Sequence, residues 1–178
     1  MKKTLILIWV FAIGLMLNDV MAQVGRNRSW ASVGMLYDWQ FDKGGIGDFK
    51  KASNIGFRLS VGSELNHMWG YRLHISLPGI LPGDGYDRRG IGGADFLFFL
   101  NNTVAGDRTW GNVYFLVGLD VAYGVENTDI VSFGFDAGCG YSHWFDKYNG
   151  VFGEMDISFF NAVNGPSCTL SFGYQRKF

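Results

Sequence analysis

The chain has 178 residues, with 15 Lys+Arg against 16 Asp+Glu, only 17% charged residues, 17% aromatics, 26 glycines and 3 prolines. The near-neutral balance leaves no electrostatic footprint for nucleic acid. Beyond the amino-terminal segment no run approaches the roughly 20 apolar residues of a spanning helix, so a mature chain that crosses a membrane does so as a barrel.

The amino terminus reads as a secretory signal. Met1-Lys2-Lys3 precedes an apolar run of about 14 residues, Thr4 to Leu17, which Asn18-Asp19 end early. Val20-Met21-Ala22 suits cleavage after Ala22, so residues 1–22 are expected to leave and 23–178 to form the mature protein. No cysteine follows the cut to take a lipid anchor. Loss of Lys2, Lys3 and Asp19 leaves 13 Lys+Arg against 15 Asp+Glu.

Eight segments then alternate apolar and polar residues at period two, the signature of a strand between two different solvents. The first runs about Trp30 to Phe41, with Ala31, Val33, Met35, Tyr37, Trp39 and Phe41 on one face. A glycine-rich polar loop, Asp42 to Ser53, follows. The second, about Asn54 to Leu65, has the clearest alternation: Ile55, Phe57, Leu59, Val61 and Leu65 outward, Gly56, Arg58, Ser60, Gly62 and Glu64 inward. A turn, Asn66 to Gly70, leads to the third, about Tyr71 to Leu77, with Arg72, His74 and Ser76 inward. Pro78 to Gly93 is the longest loop. The fourth, about Ala94 to Asn101, turns Asp95 inward, but also Leu97 and Phe99. After Asn102 to Gly111, the fifth, about Asn112 to Gly124, turns Tyr114, Gly118, Asp120 and Ala122 inward. The sixth, about Val131 to Tyr141, turns Ser132, Gly134, Asp136, Gly138 and Gly140 inward. After Ser142 to Gly150 comes the seventh, about Val151 to Phe160, with Glu154, Asp156 and Ser158 inward. The closing segment, Cys168 to Phe178, alternates Leu170, Phe172 and Tyr174 with Thr169, Ser171, Gly173 and Gln175. Arg176 interrupts its apolar face and is tolerable at a membrane interface, where it can snorkel.

Eight strands of this length suit an all-β, eight-stranded, antiparallel up-and-down transmembrane barrel. An even number puts both ends on one side, the periplasm in this class, and the odd-numbered connections outside. Trp69, Trp110 and Trp144 fall in the three periplasmic turns and Trp30 at the same level, which predicts a tryptophan girdle there. Cys139 and Cys168 fall at opposite ends of strands six and eight, too far apart for a bridge.

The pattern resembles the OmpA/OmpX-type eight-stranded outer-membrane barrels. The signal ending VMA before Gln23, the eight alternating strands and the ending SFGYQRKF carry the likeness. So do Ser53 to Gly79 (SNIGFRLSVGSELNHMWGYRLHISLPG), similar to the second hairpin of such barrels, and Phe96 to Gly124 (FLFFLNNTVAGDRTWGNVYFLVGLDVAYG), similar to their strand 4, turn and strand 5. The resemblance implies a Gram-negative outer-membrane location after secretion, contact with outer-membrane lipid and lipopolysaccharide, and delivery through the barrel-assembly machinery by the strand ending at Phe178. It covers the barrel alone; no peptidoglycan-binding domain is expected after it.

The inward set comprises Asp38, Arg58, Glu64, Arg72, His74, Asp95, Asp120, Asp136, Glu154 and Asp156. A barrel of eight strands has just enough interior for its side chains, and buried charges there must pair or be hydrated. The expectation is a structural ion network, with Arg58 and Arg72 each reaching two carboxylates, in a small closed barrel with a structural or surface-interaction role. No catalytic, cofactor or metal residues are expected, and the three histidines do not fall at metal-ligand spacing. One alternative is a barrel enzyme acting on lipid A or phospholipid. His74 and Ser76 match the His-x-Ser of lipid A deacylases, except that here both point inward and the following asparagine is missing. The other is a secreted soluble barrel holding an apolar ligand, which would turn Arg58, Glu64, Arg72 and Asp120 out to solvent. His67 and His143 are placed in turns without partners. The outer loops Asp42 to Ser53 and Pro78 to Gly93 (with Asp84-Gly85-Tyr86-Asp87-Arg88-Arg89) are the candidate partner surface of a monomer.

Overall fold

A computed structural model describes residues 29–41, 52–66, 68–77, 89–100, 111–124, 131–161 and 166–178. The signal segment, Trp110, His67 and most of the connections on the side of loops 42–51 and 78–88 lie outside these residues. Eight strands form: β1 Ser29–Gln40, β2 Ala52–Glu64, β3 Trp69–Leu77, β4 Arg89–Phe99, β5 Gly111–Gly124, β6 Val131–Trp144, β7 Asn149–Phe160 and β8 Ser167–Lys177. Each pairs antiparallel with its neighbour in sequence, and β8 pairs with β1, so the sheet closes with no free edge. The closure runs to the last residue, where the Phe178 amide donates to the Ser29 carbonyl at 3.0 Å.

The two faces follow the parity of the sequence. Outward residues such as Leu59, Val117, Leu119, Phe133 and Phe172 leave more than half of their surface exposed, a belt that only an apolar solvent satisfies. Inward residues are buried and mostly polar. Two connections at one end, which we call the turn end, are tight. In residues 65–68 the Asn66 Oδ1 accepts from the amides of Met68 and Trp69, at 2.8 and 2.9 Å; in residues 145–148 the Asp146 Oδ1 accepts from those of Tyr148 and Asn149, both at 2.7 Å. Asn and Asp suit such turns because their side chains mimic a backbone acceptor.

Three readings from the sequence need correction. The fourth strand starts at Arg89, not Ala94, so the loop read as Pro78 to Gly93 is shorter. Its opening residues, RGIGG, carry turn-like glycines, but the inward space at Gly93 is filled by neighbours: an added Cβ would collide with Asp120 Oδ1 and lie 2.7 Å from His74 Cε1. The turn read as Ser142 to Gly150 shrinks to four residues, which places His143 on β6, its ring near those of Tyr141 and Phe145. Third, Trp30 and Trp144 are not part of a girdle. Both point inward, 7% and 8% exposed, on the parity of Ser32 and Ser142. The outward aromatics at the turn end are instead Trp69, packed against Phe96 and Phe98 at 4.9 and 4.7 Å between ring centres, with Tyr141, Phe145, Tyr148 and Phe178 exposed.

The interior is stacked in three layers. At the turn end Trp30, Leu97, Phe99, Tyr114, Leu116 and Trp144 form an apolar cluster. At the other end Ile91, Ala122 and Phe160 form a smaller one. Charged residues fill the space between. Large inward rings lie over glycines that face them across the ladder: Trp30 on Gly62, Tyr114 on Gly140, Trp144 on Gly150 and Phe160 on Gly134. Each glycine leaves the ring its room, which is how eight strands hold so many aromatics at native density.

Candidate functional site

The charged layer is assembled from six strands. β2 supplies Arg58; β3 supplies Arg72, His74 and Ser76; β4 supplies Asp95; β5 supplies Tyr114 and Asp120; β6 supplies Asp136; β7 supplies Glu154 and Asp156. Alternation brings each of them inward, and the closed ladder carries them to opposite walls of one narrow lumen. Nine of the ten charged residues read as interior are buried. The tenth, Glu64, is half-buried at the turn end and pairs with Lys177 at 3.2 Å, whose ammonium also lies 4.4 Å over the Trp144 ring.

Glu154 is the hub. Its carboxylate accepts from Arg58 Nη1 at 2.5 Å, from Arg72 Nη1 at 2.5 Å and Nη2 at 3.0 Å, and from the Tyr114 hydroxyl at 2.8 Å. Arg58 also reaches Asp156 Oδ2 at 2.8 Å and donates from Nε to Ser76 Oγ at 2.9 Å. Arg72 also reaches Asp95 Oδ2, at 2.6 Å from Nε and 2.5 Å from Nη2. Each arginine therefore spans two carboxylates. β3 and β7 stand on opposite sides of the barrel, so Arg72–Glu154 is a strut across the lumen. A guanidinium suits this role because its donors form a fixed fork that matches carboxylates.

A second group lies on the β3–β6 wall. His74 Nδ1 is 3.1 Å from Asp95 Oδ2, and His74 Nε2 is 3.2 Å from Asp120 Oδ1. Donor atoms of His74, Asp95 and Asp120 all lie within 4.8 Å of one another, the spacing of a set able to hold a metal ion. Asp136 is 2% exposed and its Oδ1 meets no hydrogen-bond partner. Between the charged layer and the turn-end cluster sits a small cavity bordered by Arg72, Tyr114, Asn112 and Trp144, with room for a water molecule.

The His74–Ser76 pair does not form a nucleophile and base. Ser76 Oγ takes a hydrogen bond from Arg58, His74 is held between two aspartates, and both are buried inside the barrel wall. Cys139 and Cys168 are free thiols facing outward, with β7 between their strands. Arg176 faces out at the turn end, level with Asn149 on β7 and close enough to act on the Asp146 carboxylate. That carboxyl is held below its ordinary range, by the Asn149 side chain first and then by the Tyr148 and Asn149 amides.

Sequence reasoning found the charged set but not the contribution of Tyr114 as a donor, nor the inward aromatics Phe152 and Phe160. Their parity, shared with Glu154 and Asp156, is the signal that reveals them.

No protein-family model matches the chain, and no curated protein matches it in sequence. Solved structures do match in fold. The fold is that of the eight-stranded outer-membrane barrels. Neisserial surface protein A, NspA, superposes with a TM-score of 0.64 at 15% identity, over 84% of this chain and 97% of that one. Ail, the attachment invasion locus protein of Yersinia pestis, solved with the heparin analogue sucrose octasulfate, gives 0.56 at 13% identity over 86% and 100%. The outer membrane protein OprG of Pseudomonas aeruginosa gives 0.53 at 12% identity over 86% and 96%. At these identities the likeness speaks for the fold and not for what the barrel does.

Proposed function

We propose that the chain is a Gram-negative outer-membrane protein whose closed barrel has a structural or surface-interaction role, and is neither a wide pore nor an enzyme. The observation that carries this is the lumen: two apolar clusters bracket arginine–carboxylate struts that run wall to wall, inside a barrel whose outer face is an apolar belt. A soluble barrel has the opposite arrangement, with charges out and apolar side chains in. In the membrane reading, the belt meets lipid and lipopolysaccharide, the strand ending at Phe178 is presented to the assembly machinery, and loops 42–51 and 78–88 meet any surface partner.

The test is fractionation with gel mobility. The protein is expected in the outer-membrane fraction, migrating faster unheated than boiled. Recovery as a soluble periplasmic protein would sink the proposal. Deleting Phe178, or replacing Tyr174 and Phe178 by Ser, is expected to lower membrane levels more than an equal change in loop 42–51. The enzyme alternative loses support from the burial of His74 and Ser76; lipid A mass before and after overexpression, with His74→Ala as control, is expected to be unchanged.

A further inference from the structure

Several interior atoms that meet no hydrogen-bond partner gather on one wall: His74 Nε2, Asp95 Oδ1, Asp120 Oδ1 and Asp136 Oδ1. His74 Nε2 and Asp120 Oδ1 stand 3.2 Å apart, an ion pair only when the imidazole carries its second proton. The ladder explains how they converge. Along one row His74, Gly93 and Asp120 are register partners; along the next, Asp95, Gly118 and Asp136 are. Each glycine sits between two charged neighbours, which lean over it. An added Cβ on Gly93 would strike Asp120 Oδ1 and come 2.9 Å from His74 Nε2, and one on Gly118 would strike both Asp136 Oδ1 and Asp95 Oδ1. Buried carboxyl oxygens that face one another without a partner are costly unless a cation joins them or one carboxyl takes up a proton.

Arginine does not supply that cation, and an imidazolium at His74 would reach Asp95 and Asp120 but not Asp136. Arg58 is committed to Glu154 and Asp156, and Arg72 to Glu154 and to the other oxygen of Asp95. Among the described residues, no Lys or Arg reaches Asp120 or Asp136. In this layer five buried carboxyl groups (Asp95, Asp120, Asp136, Glu154 and Asp156) stand beside two guanidiniums and one imidazole.

We propose that His74, Asp95 and Asp120, with Asp136 beside them, form a binding site for one first-row divalent cation, of the Zn²⁺ or Mn²⁺ class, inside the barrel. One imidazole nitrogen among carboxylate oxygens suits such ions better than Ca²⁺ or Mg²⁺, which take all-oxygen sets. Ligands about 2.1 Å from a common ion stand roughly 3.4 to 4.2 Å apart, and the three ligand atoms need contract only slightly from their 4.8 Å limit to reach that. His74 Nδ1 donates to Asp95 Oδ2, which fixes the tautomer with Nε2 free to ligate, the usual support for a metal-bound histidine. This assigns a site to residues in which the sequence pattern showed none, because its ligands come from three strands and not from a local motif.

The test uses the chain with Cys139→Ser and Cys168→Ser, which removes thiol binding. It is unfolded in urea with EDTA and refolded into detergent with Zn²⁺, Mn²⁺, Ca²⁺ or no metal. Folding is checked by gel mobility, and metal is counted by mass spectrometry after an EDTA wash. The expected result is about one Zn²⁺ or Mn²⁺ retained per barrel, falling at least tenfold in His74→Ala and in Asp136→Asn; the latter breaks no hydrogen bond and so keeps the test valid if the former misfolds. Retention below a tenth of an equivalent for both ions, equal retention by the folded variants, or retention of Ca²⁺ alone would overturn the proposal.

Discussion

Two charged groups in the same lumen are satisfied in opposite ways. Around Glu154 on β7, Arg58 from β2, Arg72 from β3 and Tyr114 from β5 satisfy one another through short, multiply bonded contacts. On the side of β4, β5 and β6, Asp120 and Asp136 face oxygen and nitrogen acceptors across glycines, with no guanidinium of their own. The first arrangement resembles the keystone of an arch: removing one member leaves the others charged and buried. The second has little to lose when one carboxylate goes. Burial alone therefore does not rank these residues; the partners do.

The largest effect is expected at the hub. Glu154→Ala takes one of two carboxylate partners from each of two buried guanidiniums and the acceptor from Tyr114, at a cost of about 3–5 kcal/mol, read as the shift in urea unfolding of the barrel in detergent or vesicles. A shift under 1 kcal/mol would erase the distinction between the two groups. A glycine pair comes next. Gly138→Ala puts a Cβ against the Met155 carbonyl and 2.7 Å from Asp156 Cα, whereas Gly153 has nothing within 4 Å. The first is expected to cost about 1–3 kcal/mol and the second to stay within about 0.5 kcal/mol. Asp136→Asn, without added metal, is expected to change stability by less than about 1 kcal/mol, since no hydrogen bond is lost.

The smallest effect lies outside the lumen. Asp146 is exposed, and its carboxyl is depressed by the Asn149 side chain and the turn amides. A group with a lowered folded value stabilises above the unfolded value, and that contribution is lost as pH falls through the folded one. Asp146→Asn should thus matter slightly at neutral pH and not at all in strong acid, measured as the difference between the two unfolding curves against pH.

Much of this was legible in the sequence. Alternation fixes the face of each residue, because every strand separates lipid from a polar interior, and that placed Arg58, Arg72, His74 and Glu154 inside. Alternation says nothing about depth or register. The partner of Arg58 is 96 residues away on β7, and only barrel closure brings it near. Trp30 and Trp144 were assigned to a girdle by their position near turns, although their parity pointed inward. Arg89–Gly93 read as loop because glycine is common in turns, whereas here Gly93 leaves room for His74 and Asp120. The acceptor cluster on the far wall depends on register between β3, β4, β5 and β6 and was invisible from any single strand.

The account rests on a lumen that is filled from wall to wall and capped at both ends. Planar-bilayer recording of the refolded protein tests it most directly. The wild-type barrel is expected to be silent, and to stay silent when Trp30 and Trp144 are both replaced by Ala, because the struts and the second cluster remain. A steady open-channel step from the wild-type barrel would contradict it.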